Sequence, residues 1–166
     1  MANQLYANVQ DYEISWSSIK IIVNVDGGAT LEATDCEGIK WDSKLDVSLS
    51  YGTGGGRPMK ETEGKVSYST SATLSKTGIK TLKQALGAVA PTRGNQVLYG
   101  TVRFSIQIQH STVAAPSTVH ETILKGCRFR GETEDNKEGT DALFIEVPLD
   151  PLEIVQVIDG QEYALI

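Results

Sequence analysis

Hydrophobic and polar residues alternate with a period of two in one segment after another of this chain. In "TVRFSIQIQH", Val102, Phe104, Ile106 and Ile108 share one parity, and Thr101, Arg103, Ser105, Gln107 and Gln109 take the other. That is the pattern of a strand buried on one face. The same alternation sets Ile39, Trp41, Leu45, Val47, Leu49 and Tyr51 against Lys40, Asp42, Lys44, Asp46, Ser48 and Ser50. It resumes with Val66, Tyr68, Thr70, Ala72 and Leu74, opposed by Lys65, Ser67, Ser69, Ser71 and Thr73. Further strands are predicted over about 19–25, ending at the turn residues 26–28, and over 119–130 and 142–149.

One segment changes period. In "SKTGIKTLKQALG", Ile79, Leu82, Leu86 and then Val89 recur at helical spacing, with Thr77 as the N-cap and Gly87 as the C-cap. Lys76, Lys80 and Lys83 fall away from that stripe, as on a helix laid against the outside of a sheet. The segments 90–96 and 111–118 read as loops from their Pro, Gly and Ser content. The predicted fold is mainly β: an antiparallel two-sheet sandwich or barrel with one flanking α-helix, in a single domain over 1–166. The N-terminal arm, 1–13, and the C-terminal extension, 151–166, are too short or irregular to bury themselves, so both are expected to take their order from neighbouring subunits.

Such a fold has open sheet borders, whose rows of N–H and C=O groups invite pairing with another chain unless they are blunted. Here the outward faces of several strands are serine, threonine and glutamine, which blunt weakly. Between two of the predicted strands lies "YGTGGGRP", with four glycines in eight residues. A phosphate loop would need a closing Gly-Lys-Ser/Thr or a dinucleotide fingerprint leading into a helix. This stretch has neither, and strands flank it. A connection so rich in glycine, carrying Arg57 and Lys60, costs backbone entropy unless something fixes it. The alternatives are a flexible surface hairpin and a loop ordered against a partner subunit.

Composition narrows the function. The 166 residues include 21 Asp plus Glu against 15 Lys plus Arg, a formal charge of -6, which disfavours gripping a nucleic-acid backbone. Cys36 and Cys127 belong to no metal-type cluster and read as buried free thiols, with a disulfide as the lesser alternative. The first residues lack a signal-peptide pattern and no apolar run has the length of a membrane helix, so a cytoplasmic start is expected, without a membrane partner.

Catalysis finds few groups to use. The histidines are His110 and His120, outside any motif. They close one predicted strand and open the next, so they can meet across the connection and form a metal pair, but no third ligand is near in sequence. Two strand-end histidines are the more ordinary reading. The acidic run 131–142 lacks the alternating Asp/Asn pattern and terminal Glu of a calcium loop and reads as a solvated hairpin tip. No enzyme activity, cofactor or metal is expected.

Three stretches carry a resemblance: "SWSSIKIIVN", "GIKWDSKLDVSLSYGTGGGRPMKETEGKVSYSTSATLSK" and "ETILKGCRFRGETEDNKEGTDALFIEVPLDPLEI". Their order is a Tyr-Gly-Thr-Gly loop with a basic residue, a helix, a Gly-Cys-Arg strand, and Gly-Thr-Asp-Ala-Leu before a last strand. Over about residues 14–155 this resembles the bacteriophage tail tube proteins; the extra glycines 54–56 depart from the pattern. The resemblance implies six copies per ring, rings stacked into a tube, sheets of neighbours joined into a β-lined channel, and DNA passing through without specific binding. It further implies sheath or other tail proteins and a tape measure protein as partners, and residence in the virion tail after assembly in the host cytoplasm. The subunit-interface candidates are Tyr51, Gly52, Thr53, Gly54, Gly55, Gly56, Arg57 and Lys60, facing acidic groups at Glu132, Glu134 and Asp135 of the next subunit. The channel-face candidates are Asp42, Lys44, Asp46, Ser48 and Ser50 with Ser67, Ser69 and Ser71. Six copies would carry about -36 in formal charge, offering DNA no counterion-like sites at which to stick. A tube of a related injection machine, such as a contractile bacteriocin or type VI secretion system, is the alternative. A carbohydrate-binding β-sandwich is a more distant one, because Trp16 and Trp41 lie in core parity and not in loops.

Overall fold

The computed structural model describes residues 19–51, 58–111, 119–134 and 143–164. Within them the chain runs through β1 (Ile19–Val25), β2 (Thr30–Glu32), β3 (Cys36–Tyr51), β4 (Pro58–Ser75) and helix α1 (Lys76–Gly87). It continues with β5 (Thr92–Arg93), β6 (Gln96–Val97), a 3-10 turn at Tyr99–Thr101, β7 (Arg103–Ser111), β8 (Val119–Arg128), β9 (Phe144–Leu149), β10 (Glu153–Ile158) and β11 (Gln161–Ala164). Six strands form one sheet in the order β11-β10-β8-β7-β1-β2, three form a second in the order β3-β4-β9, and β5 and β6 make a small ribbon. All pairings are antiparallel.

The core lies where the predicted apolar parities meet. Ile21, Val23, Val25, Phe104, Ile106, Ile108 and Leu124 of the larger sheet join Ala72, Leu74, Ile145, Val147 and Leu149 of the smaller one. Ile79, Leu82 and Leu86 of α1 complete the cluster. Burying side chains of this size contributes about 1.5–3 kcal/mol each relative to exposure, so the period-two pattern carries most of the drive to this architecture. Cys36 and Cys127 are buried free thiols with no bond between them. Burial pushes Cys127 up to about 12 and raises Cys36 as well, so both stay protonated and unreactive near neutral pH.

Local chemistry corrects several boundaries. The helix is capped by Ser75, not Thr77: Ser75 is still extended (φ -66, ψ 161), and its hydroxyl accepts a hydrogen bond from the Gly78 N–H at 3.1 Å. Thr77 is already helical, its carbonyl accepting from the Thr81 hydroxyl. At the other end Gly87 is the last helical residue, and the cap is Ala88 in right-handed conformation. Val89 lies beyond the helix and is 37% exposed, so it leaves the apolar stripe.

Two bulges switch parity in ways the alternation does not reveal. In β8, Gly126 has φ +65, and the ladder with β7 shifts between Phe104 and Ile106. Thr122 and Leu124 are therefore buried before the bulge, and Cys127 and Phe129 after it. A Cβ at position 126 would meet the Leu152 side chain at 2.9 Å. In the β3–β4 hairpin the register shifts between Leu45 and Val47, and a Cβ on Gly64 would stand 2.1 Å from the Asp46 carbonyl oxygen. Only glycine lets the two backbones approach there.

β8 ends at Arg128 and β9 starts at Phe144, short of the predicted 130 and 142. Past β8 the chain crosses to the second sheet, bridging Phe129 to Leu149 and Thr133 to Glu146. The segment after Pro151 also differs from expectation. Glu153–Ile158 pairs with β8 and with β11 inside the chain, and Ile154 and Val155 are buried at 4% and 1% exposure, so this extension has enough apolar surface to order itself. The N-terminal arm, 1–13, and Trp16 lie outside the described residues.

Candidate functional site

The most distinctive surface is the far end of the β3–β4 hairpin. Its strands are longer than the alternation suggests: β4 begins at Pro58, a register partner of Tyr51, and Lys60 pairs with Ser50. Lys60 thus belongs to a strand, and the connecting loop shrinks to 52–57, which lies outside the described residues together with its Gly52, Thr53, Gly54, Gly55, Gly56 and Arg57.

β4 has a second neighbour, β9, only over Thr70–Ser75. Among the described residues, β4 from Ser69 back to Pro58 pairs with β3 and no other strand, and β3 forms the border of its sheet along all 16 residues. Among the described residues the far half of the hairpin is therefore a two-stranded ribbon with no further strand on either border. The opposite border of the sheet is closed, because the Thr133 N–H donates to the Glu146 carbonyl at 3.0 Å and the Arg130 N–H to the Pro148 carbonyl at 3.3 Å.

The hairpin, from its last three-stranded rungs at Lys40 and Trp41 into the ribbon, has two dissimilar faces. One carries Trp41, Ser43, Leu45, Val66 and Tyr68, half-buried. The other carries Lys40, Asp42, Lys44, Asp46 and Ser48 on β3, all exposed, with a serine row opposite: Lys40 faces Ser71, Asp42 faces Ser69, and Lys44 faces Ser67. The structure thus brings the channel-face candidates Asp42, Lys44, Ser67, Ser69 and Ser71 onto one face. Asp46 and Ser48 continue it along β3, with Thr62 the register partner of Ser48 past the bulge. Lysine and aspartate alternate, so the face is hydroxylated and close to neutral even though the whole chain is acidic.

The acidic interface candidates are placed differently. Glu132 bonds Lys83 of α1 at 2.7 Å, and Glu134 forms an ion pair with Lys76 of the same helix. Asp135 lies outside the described residues. The Glu132 carboxylate holds the Lys83 ammonium above its ordinary range. That ammonium also sits 5.4 Å from the centre of the Tyr99 ring, which meets Phe129 edge-on at 5.1 Å. Lys76 and Lys83 are seven apart on one helix face, which the sequence does show. Their glutamate partners arrive from 49 and 58 residues further along the chain, separations that carry no local signal. These pairs pin the 131–134 segment onto α1 and so occupy carboxylates that the sequence offers to a neighbouring copy.

Among the described residues no three His, Cys, Asp or Glu side chains come close enough to hold a metal ion together, and no helix is long and apolar enough to cross a membrane.

No protein-family profile matches the chain, and no curated protein sequence does either. Solved structures do. A chain in the sheath–tube complex of the extracellular contractile injection system PVC, in its extended state, superposes with a TM-score of 0.60 at 15% identity, covering 92% of this chain and 97% of the other. A chain of the anti-feeding prophage baseplate gives 0.62 at 11% identity, covering 90% and 98%. The SPP1 tail tube gives 0.57 at 12% identity, covering 89% and 82%. With the two sheets, the single described helix and the overhanging hairpin already in view, the protein has the fold shared by these tube and injection-system chains.

Proposed function

We propose that this protein is the repeating structural subunit of a hollow tube. Copies join side by side into six-membered rings through the open borders of the β3–β4 ribbon, and rings stack head to tail into a conduit. The supporting observation is that ribbon: a two-stranded β structure is marginal alone in water, and strand borders of this length without a further strand among the described residues are either blunted or used. Ring closure uses them on every copy while leaving none at the seam.

In this reading the tube belongs to a phage tail. The polar face of the ribbon lines the channel, with Asp42, Lys44, Asp46, Ser48, Ser50, Ser67, Ser69 and Ser71 presenting a wall of low net charge to passing DNA. The glycine loop, 52–57, with Arg57 and with Lys60 behind it, contacts acidic groups on a neighbour, Asp135 among them. Glu132 and Glu134 can take part only by exchanging Lys83 and Lys76. The role is structural, without catalysis. Sheath or other tail proteins cover the outside, and a tape measure protein occupies the bore before ejection. The likeness to the PVC and anti-feeding prophage chains supports a second form of the same proposal, in which the tube belongs to a contractile injection machine.

Negative-stain microscopy of the concentrated protein, produced with its neighbouring tail proteins, tests both forms. Hollow rods or six-fold annuli are expected; a chain that stays monomeric under those conditions overturns the proposal. Arg57→Glu is expected to stop rod growth while the circular dichroism of the subunit is unchanged. DNA in particles that contain the chain separates the phage form from the injection-machine form.

A further inference from the structure

His110 and His120 are direct cross-strand partners in the β7–β8 ladder. Both have even parity, shared with Phe104, Ile106 and Ile108 on β7 and with Thr122 and Leu124 on β8, all of them buried. The two imidazoles therefore stand side by side on the inward face of the larger sheet, one step beyond its last buried rung, Ile108 with Thr122. Directly opposed residues of an antiparallel pair have Cβ atoms about 4.5–5.5 Å apart. One ion with metal–nitrogen bonds of about 2.0–2.1 Å can bridge two rings so placed.

The surroundings favour a ligand over a hydrogen-bond network. The His110 Nδ1 atom is buried and has no hydrogen-bond partner among the described residues, a state that normally has a cost and calls for a reason. The nearest charged side chains in register, Lys20 and Glu121, belong to the rung through Gln109, whose side chains project to the other face. No carboxylate of that rung competes for the imidazoles. Burial and the neighbouring His120 both push the His110 imidazole below its ordinary range, which favours its neutral, ligating form.

We infer that His110 and His120 form a two-histidine site for a borderline divalent transition-metal ion of the Zn2+, Ni2+ and Cu2+ class, with water or a further donor completing the coordination. Oxygen-seeking ions such as Ca2+ and Mg2+ do not suit two imidazoles. The site belongs to the single chain and stands independently of the tube proposal.

The test is titration of the untagged full-length protein with Ni2+, read by calorimetry and by the ring resonances of both histidines. One Ni2+ per chain is expected, moving both sets of ring signals together, reversed by EDTA and lost below about pH 6 as protons take the ring nitrogens. His120→Ala and His110→Gln should each weaken binding at least tenfold, with circular dichroism confirming the fold. Unchanged affinity in either folded variant overturns the inference. So does wild-type binding that leaves the histidine signals in place, and this second readout holds even where a variant fails to fold.

Discussion

The two halves of the β3–β4 hairpin use the same two strands, yet they live in different environments. In the near half, β4 is sandwiched between β3 and β9, and Ala72 and Leu74 are 5% and 8% exposed against α1 and the larger sheet. In the far half the same apolar parity continues on β3 into Leu45 and Val47, but Val47 is 43% exposed and, among the described residues, no third strand joins β3 and β4. The difference shows that alternation reports which face of a strand is apolar, while the neighbour that covers that face is supplied separately. In the near half the neighbour comes from this chain; in the tube proposal, copies supply it in the far half.

Substitutions along the hairpin should grade accordingly. Leu74→Ala opens a cavity between sheet and helix and should cost about 2–5 kcal/mol, read as a large fall in the denaturation midpoint. Gly64→Val forces apart the backbones at the bulge and should cost about 1–3 kcal/mol, with loss of slow amide exchange confined to the far ribbon; unchanged exchange there would show that the bulge does not set the register. Ser75→Ala removes the helix cap where the near half ends and should cost about 1 kcal/mol, seen by thermal denaturation. Val47→Ser should change the isolated subunit's stability by no more than about 0.5 kcal/mol while reducing rod formation. A Val47 effect as large as that of Leu74 would mean that the far half is already packed within one chain.

A pH experiment extends the comparison to the other long hairpin, β7–β8, whose His110 also pairs with Ile19 of β1. His110 is held below its ordinary value in the folded state, chiefly by burial, whereas the unfolded chain protonates near about 6.5. In that window the unfolded state binds more protons, so stability is present above it and declines as pH falls through it. With EDTA present, Tm should drop between pH 7 and pH 5 more in the wild type than in His110→Gln. Parallel profiles would remove His110 as the cause.

Much of the fold is legible in the residues. β1 and the inward faces of β7 and of the near half of β4 follow from parity, because a half-buried strand has no other way to segregate its side chains. The stripe Ile79, Leu82, Leu86 gives the helix for the same reason at a different period. Ser75 and Thr77 both carry capping chemistry, and the choice between them depends on where β4 stops being extended. The bulges at Gly64 and Gly126 look like any other glycine until the opposing Asp46 carbonyl and Leu152 side chain are in place.

For the candidate site, the sequence alone determined the composition of the surfaces: the Lys-Asp alternation, the serine row and the glycine-rich connection are local facts about consecutive residues. Only the tertiary structure decided which strand borders lack a further strand among the described residues, that Glu132 and Glu134 are engaged by Lys83 and Lys76, and that the residues after Pro151 complete the larger sheet. Each of these depends on which distant segments become neighbours, and one-dimensional patterning encodes the face a residue prefers without encoding the partner it meets.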